Sequence, residues 1–281
     1  MGYNIIKETR KLMMESSVSK IKSKEEISKI LDNTQLFSTE KAFYEKYGDI
    51  DFKYYYNELE GFNREEKIYL NPTYATPHSI IHHAMHILSR KYDEKGNIKA
   101  EGIQYNMKSW NEKMLNEGLT EYLTSKISGE ERRVYKEEKY FFEKLGEITK
   151  KRYNEDYLME IYLNNKQKEL RRFIKEYGGK EIEEEIFEKA GIIGKKEIDK
   201  SIKKISKKVD RKIRQEKIIE DFKKIFRIDD KKRLEEKNYQ LKSNTSENNK
   251  YEYLNSLKIE KEIKKVAKIN KSIITKEEVE R

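Results

Sequence analysis

Apolar residues recur at helical intervals along most of the chain, and the places where that rhythm fails are the informative ones. Residues 3–32 read as helical; within them "SKEEISKILD" sets Ser23 and Glu26 at capping-box spacing ahead of a stripe of Ile27, Ile30 and Leu31. "FKYYYNELEGFNREEKIYLNP" breaks the pattern. Its aromatic and β-branched bias over Phe52–Tyr56 and Ile68–Leu70 predicts short strands, ended by Asn71-Pro72. Thr76-Pro77 then forms an N-cap and N1 pair, opening a helix to about Arg90 with Ile80, Ile81, Ala84, Met85 and Leu88 on one face. "KYDEKGNIKAEG" reads as a loop. A second helix, roughly Lys113–Lys126, buries Met114, Leu115, Leu119, Tyr122 and Leu123 and turns Glu117 and Glu121 to its other side. Helical periodicity continues through "YFFEKLGEITKKRY", "YLMEIYLNNKQKELRRFIKEYGG" and "IEEEIFEKAG". Gly191 and Gly194 mark a boundary, and beyond it lie Lys/Glu-rich helical segments interrupted by the polar linker "SNTSENNK" near 243–250.

The expected fold is therefore mainly α with a small β component, in three regions: an N-terminal helical part (1–57), a core (58–192) and a charged helical extension (193–281). Hydrophobic residues make up 35% of the 281 positions and charged residues 41%, so part of the chain is expected to be solvated helix rather than packed core. The net charge of +10 is unevenly spread. Residues 195–281 hold 28 Lys+Arg against 17 Asp+Glu, whereas the preceding 194 residues balance to −1. In the basic third, Ile202, Ile205, Val209, Ile213 and Ile218 fall at helical intervals, which predicts an amphipathic helix with a salt-bridged outer face. The competing expectation is a surface that binds nucleic-acid phosphates without sequence preference, or a protein partner. There is no cysteine, which excludes disulfides and thiolate metal sites. No signal-peptide pattern and no apolar run long enough to span a bilayer stand out, so a cytoplasmic protein is expected.

All four histidines lie in "TPHSIIHHAMHILS", at positions 78, 82, 83 and 86. His82 and His86, one turn apart, project about 40° from each other around the helix. That is the arrangement two imidazoles need to share one tetrahedral ion. A third ligand must come from another segment, because a straight helix cannot bring one more side chain to the same ion. "MLNEGLTEYLT" offers Glu117, and Glu121 one turn later can hold the far nitrogen of a ligating imidazole. His78, one turn before His82, suits a capping or solvent-facing role better than a further ligand.

Together "HHAMHILS" and "LNEGLTEYLT" resemble the active-site pair of gluzincin zinc metallopeptidases, in which HExxH on one helix is completed by a glutamate on a later helix. The similarity is greatest to bacterial metallopeptidase-like proteins carrying HExxH and a "GLNEGxTE" segment, and it covers about residues 60–190. It implies a zincin-like core, Zn2+ as cofactor, His82, His86 and Glu117 as its ligands, and Glu121 as their support. One position departs from the family. Its general base, the second letter of HExxH, is His83 here. A carboxylate at that place takes a proton from the zinc-bound water; an imidazole does so only while neutral, and its charged form is repelled by the dication. Losing such a base costs on the order of 10²–10⁴-fold in rate. The resemblance thus implies a zinc-binding, metallopeptidase-like protein with weak or no proteolysis. Two alternatives stand beside it: an active peptidase using His83 or a displaced carboxylate (Glu112 or Glu121), and a non-enzymatic binding protein acting through its basic helices. No oxyanion-stabilising residue can be singled out among 20 tyrosines.

Overall fold

The structure, a computed structural model, describes residues 2–47, 59–64, 66–132 and 134–240. The predicted strand at Phe52–Tyr56 and the linker at 243–250 lie outside them. Among the described residues the protein is mainly helical with two small sheets, and no helix is long and apolar enough to cross a membrane.

The predicted helical stretch over 3–32 divides into α1 (Gly2–Glu15), α2 (Val18–Ile21) and α3 (Lys24–Asp32). Ser23 caps α3 through the expected box: its hydroxyl accepts from Glu26 N at 3.1 Å while the Glu26 carboxylate accepts from Ser23 N at 2.9 Å. Strand β1 (Thr34–Leu36), helix α4 (Glu40–Tyr47), and strands β2 (Gly61–Arg64) and β3 (Lys67–Leu70) follow. The sheet order is β1-β3-β2, with β1 parallel and β2 antiparallel to β3.

Helix α5 (Pro77–Leu88) starts where the sequence places it. Thr76 and Ser79 exchange side-chain and backbone bonds, and Pro77 fills the first helical position, where no N–H partner is needed. The stretch read as a loop is a hairpin, β4 (Arg90–Tyr92) paired antiparallel with β5 (Ile98–Glu101). Its less exposed positions include Arg90, Ala100 and Glu101, charged or small side chains, so no alternation of apolar and polar residues announces it. Asp93 closes the turn by accepting from the backbone N–H of Lys95 and Asn97.

Helix α6 (Trp110–Ser128) packs along α5 and is crossed by α7 (Lys136–Arg152). The crossing is tight at Gly118: a Cβ there would stand 2.2 Å from Glu138 Cβ, so only glycine lets the two backbones approach this closely. Helices α8 (Tyr157–Leu163), α9 (Gln167–Gly178) and α10 (Lys180–Glu188) complete the surround, and α11 runs over Lys195–Gln240.

Contacts divide the described residues into two units, one ending at Gln215 and the other beginning at Glu216. In the first, Ile198, Ile205 and Val209 from the beginning of α11 join one hydrophobic core with α5, α6, α7 and α9. Ion pairs Lys151–Asp210 and Glu176–Lys212 lie outside that packed seam. In the second, Ile218 and Ile219 are about half exposed.

Candidate metal centre

The histidine stripe of α5 faces the glutamate stripe of α6. His82 Nε2 lies 3.2 Å from His86 Nε2 and 3.2 Å from Glu117 Oε2, and His86 Nε2 lies 3.3 Å from the same carboxylate oxygen. These three atoms form a nearly equilateral triangle. A tetrahedral ion with ligands 2.0–2.1 Å away has donor–donor edges of about 3.3 Å. Among the described residues they are the one group of three or more acidic or imidazole side chains whose ligating atoms converge in this way.

Each imidazole is held from behind. His82 Nδ1 is 3.4 Å from Glu121 Oε2, and His86 Nδ1 is 2.8 Å from Glu101 Oε1. Glu101 is itself fixed by Arg90, whose Nε–H donates to Oε2 at 2.8 Å, and Arg90 also donates to Asn63 Oδ1. The Tyr162 hydroxyl, buried and 2.7 Å from Thr120 Oγ1, stands 3.4 Å from His86 Nδ1. Carboxylates on the far nitrogens orient the rings so that both Nε2 lone pairs point to one place.

The "NEG" of α6 shows why these letters occur together. Asn116 Oδ1 accepts from Ile103 N at 2.9 Å, tying the end of the β4–β5 hairpin to α6. That end carries Glu101. Glu117 faces the imidazoles, and Gly118 admits α7. Gly102, with φ of +56°, makes the turn after Glu101; a Cβ there would overlap Asn116 and Tyr162.

The electrostatics of the cluster favour cations. Burial opposes the charged form of Glu117, but His86 and His82 hold it well below the usual carboxylate range. Glu121, also working against burial, is brought to about 2 by His78 and His82, and Glu101 to about 2 by His86 and Arg90. Burial disfavours protonated His82, yet Glu117 and Glu121 raise its pKa. His86 is raised well above the ordinary imidazole value, against burial, by Tyr162, Glu117 and Glu101. Three carboxylates against the single guanidinium of Arg90 leave a formal charge of −2 around neutral imidazoles.

His83 points elsewhere. Its ring lies beside β2, with Asn63 Nδ2 3.4 Å from Nδ1 and the position of a Gly61 Cβ 3.2 Å from Cδ2. Burial, then the neighbouring His82 and His86, push its pKa down to about 3. It lines a cleft of about 220 Å³ together with His82, Glu60, Glu121 and Arg132. Glu112 is remote in role: it accepts from the backbone N–H of Tyr105 and Asn106, both at 2.8 Å, and so fixes the loop ahead of α6. His78 neither caps α5 nor faces water. It is 1% exposed and bonded to Glu121 and Ser128.

Two residues of the site were not read from the sequence. Glu101 sat in a segment read as loop, and its only signal was a carboxylate next to a glycine. Glu60 carries a buried Oε2 with no hydrogen-bond partner, while its Oε1 accepts from Arg132. Comparison with known proteins brings no relative to bear on this centre: no family model matches the chain, and neither a curated protein nor a solved structure does.

Proposed function

We propose that the protein is a zinc-binding, metallopeptidase-like protein whose centre holds the ion through His82, His86 and Glu117 and whose proteolytic power is weak or lost. The observation that carries this reading is the triangle of donor atoms with 3.2–3.3 Å edges, two of its three corners backed by carboxylates. The formal charge of −2 around it is what one divalent cation neutralises, and an N/N/O donor set suits zinc. A bound zinc ion supplies Lewis-acid polarisation of a carbonyl. The chain's own residues supply the rest: Glu121 and Glu101 orient the imidazoles, and the cleft beside His83 admits a substrate group. His83 is a poor proton acceptor there. A base whose conjugate acid has a pKa of about 3 takes up little proton at neutral pH.

Elemental analysis of protein purified without added metal tests the centre. Zinc near one ion per chain is expected, falling to background in His82→Ala and Glu117→Ala; zinc-free wild-type protein that takes up none on dialysis overturns it.

One observation favours the reading in which hydrolysis survives through a displaced carboxylate. Glu60 Oε2 is buried without a partner in the cleft lined by His82 and His83, and a donor in that cleft would satisfy it. Peptide hydrolysis by the zinc-loaded protein separates the two. If His83 is only a lost base, wild type is nearly inert and His83→Glu gains on the order of 10²–10⁴-fold. If Glu60 serves instead, wild type is active and Glu60→Gln loses a comparable factor while keeping its zinc.

A further inference from the structure

The fourth histidine is unused by the reading above, and its surroundings give it a role. His78, His82 and His86 form one stripe along α5, each a turn from the next. Opposite them Glu117, Glu121 and Ser128 run along α6 in the reverse direction, so that imidazoles and acceptors interleave. Glu117 lies between His86 and His82, and Glu121 lies between His82 and His78. His78 Nε2 is 3.0 and 3.2 Å from the two oxygens of Glu121, and its Nδ1 is 2.9 Å from Ser128 Oγ. The Ser128 oxygen also accepts from Glu130 N at 3.1 Å.

Hydrogen-bond bookkeeping gives the His78 end of this chain one direction. Carboxylate oxygens only accept when ionised, so Glu121 needs donors from both rings. A neutral ring has one N–H, and the Glu121 carboxylate claims it at His78 Nε2; Ser128 Oγ, which accepts from a backbone N–H, still has its hydroxyl hydrogen to donate to His78 Nδ1. His78 then carries its proton on Nε2 and donates to Glu121. Glu121, held in place, draws the His82 proton to Nδ1, 3.4 Å away, in competition with Glu117, 3.2 Å from His82 Nε2. Burial of His78 and Glu121, both 1% exposed, removes water as a substitute for any link.

We propose that His78, set by Ser128, is a positioning residue: it anchors Glu121 and thereby fixes the tautomer and aim of the metal-facing His82. The inference rests on the zinc reading for its effect on affinity, but not for its effect on the tautomer. Zinc affinity of the full chain, measured by competition with a chelator, should fall on the order of tenfold in His78→Leu, at the low end of what outer hydrogen-bond partners contribute. His78→Gln retains an amide N–H for Glu121 and should recover most of that loss. A side chain that only fills space gives the opposite order, with Leu tolerated better than Gln. Melting of the metal-free variants reports folding separately.

Ring ¹⁵N shifts of the metal-free protein at alkaline pH provide the second readout. The wild type should show a larger share of the His82 Nδ1–H form than His78→Leu does. Unchanged zinc affinity and an unchanged His82 tautomer in His78→Leu overturn the inference while leaving the centre itself intact. A wild-type protein that binds no zinc overturns the reading of the centre, and the tautomer measurement then decides the role of His78 alone.

Discussion

At the scale of single residues, the site is a set of buried charges that tolerate burial because each has a partner. Glu101 shows this most simply. Burial alone would raise its pKa; His86 and Arg90 reverse that and bring it to about 2. An acid with a depressed pKa in the folded state binds its proton less readily than in the unfolded chain. Its contribution to stability is therefore complete above the unfolded value near 4.5 and is lost as pH falls towards 2. Glu101→Gln in metal-free protein should lower stability on the order of 2–3 kcal/mol at pH 6. It should also flatten the decline between pH 4.5 and 2. Urea unfolding across that range checks both. His83 behaves in the other sense: held neutral by its surroundings, it weakens the fold as pH drops below about 6.5, where the unfolded chain takes up the proton first.

At the scale of elements, α5 and α6 were readable because local chemistry and burial agree there. The Thr76-Pro77 start, the apolar stripe from Ile80 to Leu88 and the i,i+4 spacing of His82 and His86 all survive in the structure, although the helix is buried more completely than a one-sided stripe suggests. The β4–β5 hairpin was not readable. Lys91 and Tyr92 are exposed, and the pairing rests on backbone bonds, the Asp93 turn and the cross-strand Arg90–Glu101 ion pair rather than on a buried apolar face. With the hairpin unread, Glu101 had no position, and the partner of His86 could not be named. Likewise the sequence offers no sign that Glu60, two elements away, shares a cleft with His83. The crossing of α6 and α7 yields a prediction of its own. Gly118→Ala drives a methyl group into Glu138 and pushes apart the helix that carries Glu117. It should cost roughly 1–3 kcal/mol in thermal or urea unfolding, the usual range for overpacking, and weaken binding at the proposed zinc centre with it.

At the scale of the whole molecule, charge and packing follow different divisions. The basic surplus begins near residue 195, yet Ile198, Ile205 and Val209 belong to the core that surrounds α5 and α6. Composition detects where lysines accumulate; it does not detect that one face of the same helix is apolar and buried. Lys212 pairs with Glu176 beside that buried face, whereas Ile218, expected in the same apolar stripe, is about half exposed.

The interleaved side chains between α5 and α6 have one more consequence. In the metal-free protein His82 and His86 hold their protons more firmly than free imidazole, because the surrounding carboxylates demand positive charge. Filling the proposed centre is then a competition, since an arriving cation and a proton claim the same ring nitrogens. Occupancy should therefore follow the acidity of the surroundings as well as the supply of metal, falling as the medium becomes more acidic.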